Sequence, residues 1–581
     1  MEKHTQTIHK TTARNDVQIT LPDTLILSGA SGTTLESFFA GAAEQGLMTF
    51  DAPYMAAVVD GKLRELTYPV HRDSVVRPIT LANSDGGRIY RRSLVLLMAT
   101  AIEKLWSGTH VNVNYAVRDG GFYCELSNRA PFSQEEITQL DAKMRELVAA
   151  DVPITKRVVS IEEARTIFSE RGDTDKVRLL ESRNRETLTL YSLDGHDDYY
   201  FGYMTPSTGY LQRFKLIHFE DAFVLQYPRK ENPDTLIDLH LYDKLHGVFK
   251  QADEWLSKLN VEDIGRLNHL VRTKNIQEMI LIAEALHEQN VAAIAGQILE
   301  RYQKGARIIL IAGPSSSGKT TFSKRLAIQL LALGLSPYTV EMDNYFVERS
   351  RTPLDDDGNY DFESIDALDR VLLNEHLLRL MGGEEVQLPK FNFLTGSPEP
   401  GKLARIDEKQ IIILEGIHGM NPQLLEQIPS DNIFRIYVSV LSQVNIDSHN
   451  RVPTTDVRLL RRIVRDASGR GYSATDTLSR WGSVRRGEKR NIFPYQENAD
   501  VMFNSGLAYE LAALRPVVEP LLLQVEPNTA PHLEANRLLS FLQWVEPLSA
   551  EQSDKIPDTS LLREFIGKSI LEDYHPGGNH T

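Results

Sequence analysis

The sequence is poor in cysteine, in long apolar runs and in positive charge. Cys124 is the only cysteine among 581 residues, which excludes intramolecular disulfides and zinc sites built from cysteine clusters. No apolar run approaches the roughly 18 residues of a membrane span, and residues 1–15 lack the apolar core of a signal peptide. The net charge of −15 argues against broad electrostatic binding to nucleic acid. We therefore expect a cytoplasmic protein without a membrane partner.

The length indicates several domains. A chain of 581 residues is too long for one hydrophobic core, and about three or four domains are expected. Hydrophobic residues make up 41% and charged residues 25%, as in ordinary globular proteins. The sequence shows neither an internal repeat nor a low-complexity tract, so we expect a multidomain globular protein whose function lies in specific motifs.

The most specific motif runs from Gly313 to Thr320 and fits G-x-x-x-x-G-K-[ST]. A buried strand, Ile308–Ala312, is predicted before it and a helix, Thr321–Leu333, after it. In this order, N–H groups of the loop and of the helix N-terminus face a polyphosphate. Lys319 would reach the β- and γ-phosphates, and the Thr320 hydroxyl would bind Mg²⁺. The predicted ATP-binding residues of this segment are Gly313, Ser315, Ser316, Ser317, Gly318, Lys319, Thr320 and Thr321.

Strands and helices alternate after this loop. This alternation predicts an α/β domain with a doubly wound parallel sheet, whose ligands bind at the carboxyl ends of the strands. The candidate strands are Ile308–Ala312, Thr339–Met342, Ile411–Leu414, Phe434–Val440 and Ala499–Phe503.

Two carboxylates follow candidate strands at the loop edge of this sheet. Asp343 comes directly after Thr339–Met342 and can accept a proton from a hydroxyl or hold a metal-bound water. Glu415 follows Ile411–Leu414 and could contact Mg²⁺ or substrate. The alternatives are a capping or turn aspartate at 343 and a solvated strand-end charge at 415.

A basic segment and several aromatic residues complete the candidate site. Arg458, Arg462 and Arg465 recur at i, i+4 and i+7 and share one helix face. Guanidinium groups suit a lid that holds transferring phosphates, although a solvated charged face has the same spacing. Aromatic side chains could stack on a base or simply form core: Tyr345, Phe346, Phe391 and Phe393.

These segments together resemble the uridine kinase and phosphoribulokinase family of P-loop kinases. They keep the family order over about 200 residues: Gly313–Thr321, Met342–Phe346, Tyr360–Leu368, Pro389–Phe393, Glu415–Ile417 and Arg461–Gly471. The resemblance implies that Asp343 is the base for a ribose 5′-hydroxyl. Mg²⁺ would lie among Thr320, Asp343 and Glu415. Glu363 and Arg462 would hold the ribose hydroxyls, with Tyr345, Phe346 and Phe391 also on the substrate side, and Arg465 and Arg470 would form the lid over ATP.

The base pocket departs from the family pattern. Where uridine kinases have a tyrosine and a histidine that recognise the pyrimidine, this sequence has Phe391 and Gly396. A site without those hydrogen-bonding groups should discriminate poorly for uracil or cytosine. A nucleoside is the expected acceptor, and this departure argues against selectivity for uridine.

The N-terminal half has a different, α+β character. A strand at Val17–Leu21, a helix at Thr33–Ala43 capped by Thr34, and a strand at Ala56–Lys62 with an Asp-Gly turn suggest a β-grasp unit. Residues 86–228 follow as mixed strands and helices, one of them opened by a Ser133–Glu136 capping box.

These regions resemble the TGS domain and the editing domain of threonyl-tRNA synthetases, the latter shared with alanyl-tRNA synthetases. The similar segments of the editing region are Arg92–Leu97, Asp119–Tyr123 and Pro206–Leu211. The family's four His and Cys positions read Arg92, Leu96, Tyr200 and Met204, and none is a plausible zinc ligand. We expect a structural, RNA-contacting or ligand-sensing domain that neither edits tRNA nor binds zinc.

The predicted organisation has five parts. They are a TGS-like domain (1–78), an editing-like domain (79–232), a helical linker (233–304), a P-loop kinase domain (305–520) and a helical C-terminal extension (521–581) that ends in a helix at Ser560–Ile570. The leading hypothesis is an ATP- and Mg²⁺-dependent kinase acting on a nucleoside 5′-hydroxyl. The alternatives are an RNA- or ribosome-associated regulator that binds ATP, and a kinase for a sugar phosphate or a pantothenate-like alcohol. An oligomer is compatible with the sequence.

Overall fold

The computed structural model describes residues 14–183, 185–219, 221–240, 242–355, 358–407, 409–441 and 444–576. The chain divides into two compact units. Unit 1 comprises Met1–Asp173, Arg185–His240 and Pro527–Leu533, and unit 2 comprises Thr174–Asn184, Leu241–Glu526 and Glu534–Thr581. None of the helices in the described residues combines the length and the apolar character that crossing a bilayer requires.

Unit 1 begins with a five-stranded sheet and one helix. Thr34 caps the helix by accepting from Ser37 N–H, as predicted, and the Asp60-Gly61 turn has the positive φ angles of 47° and 76° that a tight hairpin requires. The elements are β1 Asp16–Thr20, β2 Ile26–Ala30, α1 Leu35–Glu44, β3 Tyr54–Val59, β4 Lys62–Glu65 and β5 Ser74–Thr80. The sheet order is β2-β1-β5-β3-β4.

The region after β5 contains two antiparallel sheets around a long helix, which confirms the predicted α+β character. The sheets have the orders β11-β12-β7-β6 and β10-β9-β8, and the predicted Ser133–Glu136 capping box is present. The elements are α2 Ser84–Leu105, β6 Val111–Val117, β7 Gly121–Leu126, α3 Gln134–Ala149, β8 Ile154–Ser160, α4 Ile161–Arg171, α5 Thr174–Glu181, β9 Thr187–Leu193, β10 His196–Asp198, β11 Lys215–Phe219 and β12 Ala222–Gln226.

Helix α5 belongs to unit 2, although its neighbours in sequence belong to unit 1. Lys176 on α5 pairs with Asp447 at 3.1 Å, and the two side chains are 2% and 0% exposed. Removal of one partner of a buried ion pair lowers the stability of the protein sharply, because the other charge is left without compensation. Residues 174–183 are therefore an integral part of unit 2, and a fragment that begins after them would lack these contacts.

The remaining elements of unit 2 surround a parallel sheet. They are α6 Asp243–Leu259, α7 Ile264–Arg272, α8 Ile276–Gln303, β13 Ile308–Ala312, α9 Lys319–Ala332, β14 Ser336–Glu341, α10 Arg370–Met381, β15 Val386–Asn392, β16 Ser397–Ala404, β17 Gln410–Glu415, β18 Ile433–Ser439, α11 Thr454–Gly469, α12 Ala474–Asn491, β19 Val501–Asn504, α13 Glu510–Leu522, α14 Ala530–Leu542, α15 Ala550–Ser553 and α16 Arg563–Ile566.

The sheet of unit 2 confirms the predicted doubly wound α/β architecture. Its order is β14-β17-β13-β18-β19, and all four neighbouring pairs are parallel. Every residue of the central strand β13 is buried. Because parallel strands end at one edge, this order brings the segments that follow β13, β14 and β17 side by side.

One local prediction needs correction, and one pair of strands was not predicted. The helix predicted at Ser560–Ile570 is reduced to α16, Arg563–Ile566, because Gly567 takes φ 84° and ends it. The antiparallel hairpin β15–β16 was not predicted, since its strands carry three paired prolines and lack an alternating apolar pattern.

Candidate active site

The phosphate loop connects β13 to α9, and its two glycines cannot be replaced without a clash. A Cβ atom at Gly313 would overlap the Val438 carbonyl oxygen. Gly318 has φ +86°, and a Cβ atom there would lie 2.5 Å from Leu561 Cδ2. The hydroxyls of Ser316 and Ser317 are buried and have no hydrogen-bond partner in the described structure. Buried polar atoms of this kind suit a loop that is built to receive a polar ligand.

Lys319 interacts electrostatically with both predicted carboxylates, Asp343 and Glu415. Its Nζ donates to the Pro314 carbonyl oxygen at 3.2 Å. Burial lowers the pKa of Lys319, while Glu415 and Asp343 oppose this shift. The three charged groups predicted from separate segments of the sequence therefore come together at the carboxyl edge of the sheet.

Glu415 and Asp343 have pKa values shifted toward neutral pH. Burial raises the pKa of Glu415 to about 7, against the lowering effects of Lys319 and of the hydrogen bond from Thr320. Burial also raises the pKa of Asp343, and Lys319 opposes that shift. Asp343 is on the turn that directly follows β14, and its side chain reaches solvent on one side while the surrounding protein desolvates it on the others.

The residues present fit a magnesium ion. Thr320 Oγ1 donates to Glu415 Oε1 at 2.7 Å, so a hydroxyl oxygen and a carboxylate oxygen that could bind a metal ion are already adjacent. Among the described residues no group of three or more His, Cys, Asp or Glu side chains could hold a metal ion. Mg²⁺ typically uses one or two carboxylates together with substrate phosphates, so Thr320, Glu415 and Asp343 form an adequate set of oxygen ligands.

Two arginines of helix α11 hold the backbone of the phosphate loop, and each is itself fixed by a buried ion pair that the sequence did not reveal. Arg458 Nη2 donates to Glu488 at 2.9 Å, and Arg461 Nη2 donates to Glu510 at 2.7 Å. The same two arginines donate from Nη1 to the carbonyl oxygens of Ser315 at 3.2 Å and Ser317 at 3.3 Å. Arg458 and Arg461 therefore fix the backbone of the loop and are positioning residues, which excludes the solvated-face alternative for Arg458.

The predicted lid arginines, Arg465 and Arg470, share one buried carboxylate, Asp466, with Arg462. Arg462 Nε and Arg465 Nη2 donate to it at 3.2 and 3.3 Å, and Arg470 pairs with it at 3.5 Å. Arg462 Nη1 also donates to Ser315 Oγ at 2.9 Å. Arg465 lowers the pKa of Lys319, and Arg470 lowers that of Asp343, so both cations are close enough to act on the site. Asp466 was missed because its spacing does not distinguish it from an ordinary helical acid.

Glu363 is close to Arg462. Its Oε2 atom is buried and has no hydrogen-bond partner in the described residues. A Cβ atom at Gly487 on α12 would overlap Glu363 Cβ, so α12 packs directly on this side chain. Burial raises the pKa of Glu363 to about 7, Glu488 adds to the rise and Arg462 opposes it. A ligand hydroxyl would supply the missing donor.

This raised pKa predicts a pH-dependent stability. A carboxyl whose pKa in the folded protein exceeds its ordinary 4.5 stabilises the fold fully below that value, and the contribution is lost as pH rises to about 7. Glu363→Gln should therefore flatten the fall in Tm between about pH 5 and pH 7. Thermal melts across this range measure it, with the exposed Glu385→Gln as control. Parallel profiles for wild type and Glu363→Gln would contradict this prediction.

The aromatic residues form a partly exposed cluster next to Asp343. The ring centroid of Phe346 lies 5.6 Å from that of Phe391 and 6.4 Å from that of Phe393. Phe391 is 3% exposed, whereas Phe393 is 60% exposed. Tyr345 is not part of this surface, since it is buried and its hydroxyl bonds to His376 at 3.1 Å.

Arg349 occupies the space beside Gly396. Gly396 has φ +74°, and a Cβ atom there would lie 2.7 Å from Arg349 Nε. The guanidinium also donates from Nη2 to the Phe393 carbonyl oxygen at 2.7 Å. A hydrogen-bond donor therefore lies where the sequence pattern had indicated only a glycine. The contact joins residues 44 positions apart in the chain, so local sequence patterns carry no signal of it.

In unit 1, the four positions of the expected editing centre are packed among core residues. Arg92 Nη1 donates to the Tyr203 carbonyl oxygen at 2.5 Å. Leu96, Tyr200 and Met204 are 0%, 3% and 2% exposed. None of these side chains is a histidine, cysteine or carboxylate, so this region has no general base in the expected places.

The parallel sheet and the glycine loop between β13 and α9 are the features of a P-loop α/β domain. Residues 308–512 match the model of the Phosphoribulokinase / Uridine kinase family, so the C-terminal half of the chain contains a domain of that family.

The comparison with solved structures gives neighbours with low TM-scores. They include a putative fructose transport system kinase from Silicibacter sp. TM1040, with 21% identity, TM-score 0.27, and coverage of 37% of this chain and 98% of that one. A possible uridine kinase from Bacillus stearothermophilus has 18% identity, TM-score 0.25, and coverage of 37% and 97%.

The N-terminal part matches threonine–tRNA ligases. The enzyme of Anaeromyxobacter dehalogenans (strain 2CP-1 / ATCC BAA-258) is 28% identical over 256 residues, which is 44% of this chain and 38% of that protein. Threonine–tRNA ligase 1 of Bacillus subtilis (strain 168) is 31% identical over 240 residues, which is 41% and 35%. The chain thus spans well under half the length of these curated relatives.

Proposed function

We propose that this protein transfers the γ-phosphate of ATP to a hydroxyl of a small molecule, with the 5′-hydroxyl of a nucleoside as the acceptor. The observation that carries the proposal is the convergence of Lys319, Asp343 and Glu415 at the carboxyl edge of the parallel sheet. Phosphoryl transfer needs positioned phosphates, a metal and a group that orients the acceptor, and this edge offers residues for each role. The cytoplasm, where ATP is available, is the proposed compartment.

The residues of the site divide these roles among themselves. Bound Mg·ATP would supply the phosphoryl group and neutralise its charge. The backbone N–H groups of the loop and Lys319 hold the phosphates, while Thr320 and Glu415 face the metal position. Arg465 and Arg470 counter the charge that develops during transfer. Asp343 accepts the proton of the acceptor hydroxyl, and its raised pKa brings its basicity nearer to neutral pH.

The proposed acceptor pocket has side chains suited to an acceptor that contains a planar ring. Phe393, which packs on the buried Phe346 and Phe391, offers an exposed aromatic face for stacking, which is tolerant of base identity. Arg349 supplies donors at the edge of this surface. Glu363 and Arg462 are proposed to hold the ribose hydroxyls, because Glu363 Oε2 lacks a donor.

Phe393 provides a test of this pocket. Phe393→Ala should raise the KM for the acceptor about tenfold, because stacking on an aromatic side chain contributes about 1–3 kcal/mol per base. The KM for ATP should stay unchanged. Steady-state kinetics measure both constants, and Leu394→Ala, at a neighbouring position that is 93% exposed, serves as control. An acceptor KM equal to that of wild type would remove Phe393 from the pocket.

The proposed activity is tested by a substrate screen with Mg·ATP. The panel contains purine and pyrimidine nucleosides, sugar phosphates and pantothenate-like alcohols, and phosphorylated products are detected by mass spectrometry. The full chain is used, because α5 and the kinase elements belong to one compact unit. Phosphorylation of nucleosides supports the proposal. A sugar phosphate or a pantothenate-like alcohol as sole acceptor would replace the nucleoside, and a panel without any product would end the kinase assignment.

The second candidate function is an RNA-associated regulator that binds ATP. It is favoured by the similarity of the N-terminal part to threonine–tRNA ligases. Binding of tRNA to the full chain, weakening with salt as phosphate contacts require, would support it. Equal tRNA binding with and without ATP would show that nucleotide does not control the contact.

A further inference from the structure

A segment near the C-terminus, Ser560–Leu571, packs against the phosphate loop and the start of α9. Leu561 is fully buried and lies against Gly318. Lys324 Nζ donates to the carbonyl oxygens of Leu571 at 2.6 Å and Glu572 at 2.8 Å. The Phe565 ring lies 4.9 Å from the guanidinium carbon of Arg461, one of the arginines that fix the loop. These contacts hold the segment in place next to the nucleotide site.

Glu564 in this segment binds the donors at the N-terminus of α9. Its Oε2 accepts from Thr321 Oγ1 at 2.7 Å and from Thr321 N at 3.4 Å. Thr321 is the third residue of α9, so its N–H has no carbonyl partner within the helix. Free N–H groups at this position, together with the helix dipole, are the groups that bind phosphate in a loop of this kind.

The charge of Glu564 acts on the rest of the site. It raises the pKa values of Lys319, Glu415 and Arg465, as a negative charge close to all three would. A nucleotide polyphosphate that enters the loop brings further negative charge to the same donors. One N–H and hydroxyl pair cannot serve both anions, and the two anions repel each other.

We propose that Glu564 competes within the molecule for the phosphate donors of Thr321, so that the segment Ser560–Leu571 has to move away before ATP is fully bound. The segment thereby sets the affinity of the loop for nucleotide phosphates. This inference rests on the proposed binding of ATP at the loop, and it is independent of the acceptor. Release of the segment by a partner or ligand would raise ATP affinity without any change in the catalytic residues.

Binding measurements with matched ligands test the competition. Dissociation constants of ATP, tripolyphosphate and adenosine are measured by calorimetry for wild type, Glu564→Gln and the control Glu551→Gln, whose carboxylate is 80% exposed. Glu564→Gln should bind ATP and tripolyphosphate about tenfold more tightly, because it keeps the shape and removes the charge. Adenosine affinity should stay unchanged, and Glu551→Gln should behave as wild type.

Several results would overturn the proposal. Equal or weaker ATP binding by Glu564→Gln would show that the carboxylate does not compete, as would an equal gain for adenosine, which carries no phosphate. Loss of ATP and tripolyphosphate binding in wild type and variant alike would overturn the proposed function as well, and this separates the two failures.

A second measurement needs no substitution. Hydrogen exchange of the amides in residues 560–571 is followed in the wild-type protein with and without ATP. Displacement of the segment should accelerate their exchange when ATP binds, at the same time as the loop 313–321 becomes protected. Unchanged or slower exchange in residues 560–571, with protection of the loop, would contradict the displacement.

Discussion

Asparagine in place of Asp343 should lower kcat by about 10²–10⁴-fold while leaving the Kd for ATP nearly unchanged. The amide keeps the shape of the carboxylate but cannot accept the proton of the acceptor hydroxyl. Asp343 is on the turn after β14 and its side chain is exposed, so the change should not disturb packing. The measurements are kcat with the acceptor that the screen identifies and the Kd for ATP by calorimetry.

The control for this prediction is Asp431→Asn. Asp431 is an exposed aspartate of the same unit, in the turn Ser430–Asn432 that precedes β18 at the opposite edge of the sheet. It should keep the wild-type rate. If Asp343→Asn keeps the wild-type rate, Asp343 is not the base. If the loss appears instead as weaker ATP binding, Asp343 serves the metal or the nucleotide.

The architecture of unit 2 was predictable because its signals are local. Runs of buried aliphatic residues mark parallel strands, and the structure places all five within a few residues of their predicted bounds. The hairpin β15–β16 carried no such signal, since Pro389, Pro398 and Pro400 suit only exposed or edge positions. The order of the strands in the sheet depends on contacts across the chain, which local patterns do not contain.

The candidate site likewise contains residues that local sequence patterns indicate and residues that only the three-dimensional structure brings together. The glycine loop, Asp343 and Glu415 could be proposed as site residues from the sequence, because each follows a strand and the carboxyl ends of parallel strands meet at one edge. The partner of Thr321 was not predicted, since Glu564 is 243 residues away in the chain. The sequence around Glu564 does not distinguish it from an ordinary surface glutamate. Likewise, the ion pair of Arg461 and Glu510 spans 49 residues, and its burial is visible only in three dimensions.

The removal of the charge of Lys319 should have the second large effect. Lys319→Met keeps most of the side-chain length but leaves Asp343, Glu415 and the phosphates of ATP without their nearest cation. A lost electrostatic contact of this kind lowers kcat by about 10²–10³-fold, and ATP affinity should fall as well, because the lysine contacts the phosphates before and during transfer.

The fold should survive this substitution, and thermal melts can show it. Burial already lowers the pKa of Lys319, so the folded protein bears a desolvation cost for this charge. Without the lysine, Glu415, whose pKa is already raised to about 7, can take up a proton instead of remaining an uncompensated charge, so Lys319→Met should change the Tm little. Lys409→Met, at an exposed lysine of the same unit, controls for the general loss of a positive charge. Kinetics, ATP binding and thermal melts are compared for the three proteins. Wild-type ATP affinity in Lys319→Met would mean that the loop binds its ligand through the backbone alone, and the assignment of Lys319 to the phosphates would fail.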